Sequence, residues 1–151
     1  MIQEKLNELG LTLPTVSKPG GNYVSVNIRG NIAYIAIQFP KSGDDWFFKG
    51  KLGDELTTED GYKAMQLCAL NVLAHIEQSI GTERLVGINH MDAYYQATGD
   101  WDEAPRMVDG ASDLFVNVLG EKGKHSRGIF GVERLARNFV VGITCSLTIT
   151  P

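Results

Sequence analysis

Toward the C-terminus, Phe139, Val141, Ile143, Cys145, Leu147 and Ile149 fall on one parity of the chain and Gly142, Thr144, Ser146 and Thr148 on the other. A period of two is the mark of a β-strand with one apolar face and one polar face. Such a strand calls for a sheet whose one side is core, while its other side meets something more polar.

What covers the core side is written earlier in the chain. Tyr62, Met65, Ala69, Leu73, Ile76 and Ile80 recur at intervals of three and four, which predicts a helix that Thr57 or Thr58 caps and Gly81 ends. A second helix is predicted from about Asp102, with Glu103 and Pro105 in its first turn and Met107, Ala111, Leu114, Val118 and Leu119 as its stripe up to Gly120. β-Branched and aromatic runs over 23–28 and 32–38, separated by Arg29, Gly30 and Asn31, predict a hairpin. Further strands are expected over 84–96 and 125–132, with an exposed turn over 122–124. A short helix carries Ile2, Leu6 and Leu9 before Gly10, and 41–56 reads as loop with one short strand around Trp46, Phe47 and Phe48. The order predicts an α+β fold, one domain over 1–151, with a mixed sheet and two helices packed on one face.

The chain has 151 residues, 43% of them hydrophobic and 21% charged, with a formal net charge of -4. That charge argues against a protein that grips the phosphate backbone, so nucleic acid is not an expected partner. No apolar run is long enough to cross a bilayer, and the acidic, amphipathic N-terminus is unlike a signal peptide, so no membrane partner and a cytoplasmic location are expected. Cys68 and Cys145 lie far apart without a CxxC pair and read as reduced thiols.

His75, His90 and His125 are scattered without metal-ligand spacing, so neither metal nor cofactor is expected. Phosphate-binding glycine loops and a GxSxG elbow are absent as well. Asp44, Asp45, Asp54, Glu55, Glu59 and Asp60 form an acidic region best read as a solvated loop and a helix N-terminus. The informative position is Arg127, inside an otherwise apolar, glycine-containing strand. An Arg there needs a partner: either an ion pair within the protein or between subunits, or the carboxylate of a ligand gripped by the guanidinium fork.

The segment 127–135 resembles the Arg-Ser-x-V-x-V-x-x-L-P strand of the RidA/YjgF family, also labelled endoribonuclease L-PSP or translation inhibitor. Other matches follow in family order: Asn22-Tyr23-Val24 after a Pro-Gly loop, 34–40 against Y-x-S-G-Q-x-P, Gly50-Lys51-Leu52-Gly53, and 69–73 within the long helix. Residues 109–115 look like the N-G-A-S-D-L stretch of a longer branch. The resemblance covers nearly the whole chain and implies a chorismate-mutase-like fold, a homotrimer, and small-molecule pockets between subunits.

In active members of that family an Arg holds the carboxylate of a reactive enamine or imine, which water converts to a 2-keto acid and ammonia. By resemblance Arg127 takes the carboxylate, Tyr23 is the pocket tyrosine, and Ala36, Ile129 and Thr144 are further substrate-binding positions. The carboxylate that positions water in active members falls at Gly142 here, and Ala36-Ile37 replaces the family's Ser-Gly. His125, two residues before Arg127, is the candidate to take over proton transfer. A noncatalytic ligand-binding trimer and an endoribonuclease stand as the alternatives.

Overall fold

The computed structural model describes residues 2–151. Helix α1 (Ile2–Glu8) buries Ile2 and Leu6 and ends at Gly10, whose φ of 72° is the left-handed region. Strands β1 (Val26–Arg29) and β2 (Ile32–Gln38) form the expected hairpin about Gly30 and Asn31, Gly30 supplying φ 60° at the first turn position. The hairpin starts later than the sequence reading had it, and Tyr23 and Val24 lie exposed in the preceding loop. The stretch expected to hold one short strand holds a two-residue pair, β3 (Lys41–Ser42) and β4 (Asp45–Trp46), as a separate minimal hairpin.

Helix α2 (Thr58–His75) begins with a capping box: the Thr57 side chain accepts from the Asp60 N–H, and the Asp60 carboxylate accepts from the Thr57 N–H. At least one acid of the acidic region is therefore a cap. The apolar stripe continues through Ile76–Ile80 as a wider, π-type turn rather than an α-helix, and stops at Gly81.

Strand β5 (Leu85–Tyr95) is the longest of the sheet. Leu85, Ile88 and Met91 are all buried at a spacing of three because register shifts fall between Leu85 and Gly87 and between Ile88 and His90. These irregularities are why the apolar residues of this strand lack a clean two-residue period in the sequence. Helix α3 (Ala104–Leu119) crosses back to β6 (Ser126–Gly131), which pairs parallel to β5, and β7 (Val141–Ile149) closes the sheet in the middle. The order β1-β2-β7-β5-β6 is mixed, with β5–β6 the parallel pair. Both long helices lie on one face, and the core fills the space between. No helix among the described residues is long and apolar enough to cross a membrane.

Candidate functional site

Residues directly opposite one another in a sheet share a face. Met91 is opposite both Arg127 and Cys145, and Met91 and Cys145 are buried under the helices. Arg127 therefore enters the covered face and meets α3. Its Nη1 donates to Asp109 Oδ1 at 2.8 Å and to Ser112 Oγ at 3.0 Å, and its Nη2 donates to the Pro105 carbonyl at 3.3 Å. Asp109 and Ser112 are three residues apart, so one helical face presents both. Of the two roles open to Arg127 in the sequence, the structure thus displays the ion pair: the carboxylate it grips is the chain's own.

His125 joins the same network and is half-buried. Its Nδ1 lies 2.6 Å from the Gly123 carbonyl and must carry the proton there, which leaves Nε2 to accept from the Ser112 hydroxyl at 2.9 Å. The Phe115 ring meets it edge-on at 5.6 Å. Arg127, Ser112, His125 and Gly123 so form one donor-to-acceptor chain closed within the protein. Ile129 lies half-buried in a covered-face row with Ala93 and Ile143. Thr144 is on the opposite, open face, across from Asp92.

Tyr23 and Ala36 come together elsewhere, in a cavity of about 290 Å³ at the β2 side of the sheet. The Tyr23 hydroxyl accepts from the Gly20 N–H at 3.2 Å and so closes the Pro-Gly loop over it. The Asn71 side chain donates to the Lys41 carbonyl at 2.7 Å, tying this wall to α2. One turn further along α2, His75 lines the cavity while only 4% exposed, and burial pulls its pKa below the usual histidine value. Its imidazole is accordingly neutral at physiological pH.

The remaining wall is aromatic and cationic. Phe39 and Phe139 stack at 4.9 Å, and Trp46 meets Phe139 edge-on at 5.6 Å. Around the Trp46 ring lie the Arg137 guanidinium at 4.9 Å, Lys49 at 5.2 Å and Lys41 at 6.0 Å. Lys18 also lines the cavity, and among the described residues no carboxylate side chain does. Arg137 and Asn138 are consecutive left-handed residues, with φ 55° and 62°, a conformation that costs about 1–2 kcal/mol for each non-glycine residue. Gln96, fully buried, holds them there: its amide donates to Asn138 Oδ1 at 2.9 Å and its carbonyl oxygen accepts from the Leu135 N–H at 2.6 Å.

Gly142 borders the same region. A Cβ there would sit 2.9 Å from Ile37 Cδ1 and 3.0 Å from Phe39 Cε1. The space a longer residue would need is occupied by Ile37, which stands where the resembling family has glycine. The sequence reading did not single out Trp46, His75 or Arg137 as site residues. Trp46 had a faint signal in the aromatic run of a polar loop, and His75 in a polar residue on an apolar helix; Arg137 had none, because contacts distant in sequence place it.

The family model described as "YjgF/chorismate mutase-like, putative endoribonuclease" matches residues 3–144. Protein TCP17 of Trypanosoma cruzi is 31% identical over 136 residues, covering 89% of this chain and 85% of that protein. A solved structure from Shewanella oneidensis superposes with a TM-score of 0.94 at 30% identity, covering 98% of this chain and 99% of the other. One from Agrobacterium tumefaciens does so with a TM-score of 0.90 at 31% identity, over 99% and 92%. With its mixed five-stranded sheet, two helices on one face and a match along nearly its whole length, the chain belongs to the RidA/YjgF family.

Proposed function

We propose that this protein is a cytoplasmic homotrimer that binds small carboxylate-bearing metabolites and hydrolyses reactive enamines or imines to 2-keto acids and ammonia. The observation that carries this reading is the cavity. Tyr23 and the 36–38 segment, which resemble the family's pocket motifs, converge on it, and its other charged groups are cations without a lining carboxylate. In a chain of net charge -4, such a concentration favours an anionic ligand. Hydrolysis of an imine needs orientation, a proton relay and a placed water more than a strong nucleophile, and a cavity of this size provides orientation.

A second reading, a binding protein without catalysis, is favoured by Gly142, where active relatives are expected to carry a carboxylate and where Ile37 and Phe39 leave no room for one. The two separate in one experiment. A dehydroamino acid generated enzymatically is added to the protein, and 2-keto acid and ammonia are followed against the uncatalysed rate. Acceleration supports the enzyme; calorimetric binding of the keto acid without acceleration supports the binder. Cleavage of RNA is not expected, since the cations gather around the single Trp46 ring rather than forming a strip that could follow a phosphate backbone.

A further inference from the structure

We propose that Arg137, with Lys41 and His75, is the set that recognises the ligand's anionic group, and that Arg127 is a structural residue. The inference rests on the reading of the cavity as the ligand site and deepens it by naming the group that anchors the carboxylate.

Three observations carry it. Three of the five N–H donors of Arg127 are already taken, by Asp109, Ser112 and the Pro105 carbonyl, and the carboxylate it grips is the chain's own. Arg137, by contrast, has no carboxylate within 4 Å among the described residues. Its guanidinium lies over the Trp46 ring at 4.9 Å, a contact that fixes the plane while leaving the N–H edge available for a bidentate carboxylate.

The surrounding charges point the same way. Lys41 and Lys49 crowd the same ring, so three cations stand together without an acid among the residues lining the cavity. Like charges repel, and an anion drawn into the cavity converts that repulsion into attraction. At the floor, His75 is 96% buried by its 4% exposure, and burial alone accounts for its displaced pKa, with no hydrogen bond or charge contributing. A buried imidazole that lines a cavity and makes no side-chain hydrogen bond among the described residues is ready to hydrogen-bond a ligand oxygen or nitrogen. Finally, the backbone at Arg137 and Asn138 is held in a strained conformation by the buried Gln96, as expected where a side chain must be presented at a set place.

The test is calorimetric titration of 2-oxobutanoate and of its uncharged amide against the full-length protein and the variants Arg137→Ala, Arg137→Lys and Arg127→Ala, each checked by thermal unfolding. The expected result is binding of the acid and not of the amide by the unsubstituted protein, and a loss of at least about tenfold in Arg137→Ala. Arg137→Lys should not restore the affinity, because an ammonium lacks the fork. Arg127→Ala should bind within about threefold of the parent while melting at a lower temperature. If Arg137→Ala binds normally and Arg127→Ala does not, the assignment is reversed and this inference falls while the cavity reading stands. If the unsubstituted protein binds neither compound, both fall.

Discussion

The residue that best shows how this chain departs from the family pattern it resembles is Gly142. The absent side chain leaves no hole, because Ile37 and Phe39 reach within 3.0 Å of where a Cβ would be. Gly142→Glu is therefore expected to destabilise the protein by about 1–3 kcal/mol, the range for overpacking, and to confer no hydrolysis. Urea unfolding of the variant beside the parent checks the first half, and keto-acid release checks the second. His75 makes a prediction about pH. Its folded pKa is lowered by burial, so below about pH 6.5 the unfolded chain takes up the proton more readily than the folded one. The stability it contributes is complete above that pH and declines as pH falls toward the lowered folded value. Thermal melts of His75→Gln should show a flatter acid limb than the parent; an identical limb would mean that His75 is not the titrating group.

Among the elements, α2 and α3 meet at a close contact. A Cβ on Gly110 would lie 2.1 Å from the Tyr62 carbonyl oxygen and 3.1 Å from Met65 Cβ, so the helices cross where a glycine lets the two backbones approach. Gly110→Ala must move backbone, and a loss of about 3 kcal/mol or more in denaturant unfolding is expected. Beside this contact the Tyr62 hydroxyl donates to Asp113 at 2.8 Å; that carboxylate, with burial, pushes the phenol up to about 12. Removing the cap of α2 with Thr57→Ala should cost about 1 kcal/mol, read by the same unfolding assay. Both long helices and the closing strand were legible in the sequence, because their buried faces repeat at a fixed period. Strand β5 was legible only as apolar, since register shifts in its pairing move Leu85, Ile88 and Met91 off the two-residue period. The final turn of the α2 stripe, wound as a π-turn, kept its apolar positions and so gave no sign of its changed geometry.

At the scale of the whole molecule, the open face of the sheet carries a row that runs across all five strands: Asn27, Tyr34, Ser146, His90 and Ser126. His90 links Ser126 at 2.7 Å to Asp92 at 2.8 Å. A polar face of this kind suits a wet, hydrogen-bonded subunit interface, and sedimentation at micromolar concentration is expected to show a trimer. Cys68 and Cys145 are both free and buried, with burial pushing both thiols well up, so alkylation of the folded protein should be slow compared with the denatured chain. By itself the sequence determined the element order, the covered and open faces of the last strand, the family, and the need of Arg127 for a partner, because these follow from periodicity, turn chemistry and short motifs. Only the tertiary structure decided which partner that was. Asp109 and Ser112 reach Arg127 through the register of β6 on β5 and the placement of α3, and no local pattern encodes either. The same holds for the cavity, where Trp46, His75 and Arg137 come from three distant segments, and where a buried Gln96 holds the backbone that presents Arg137.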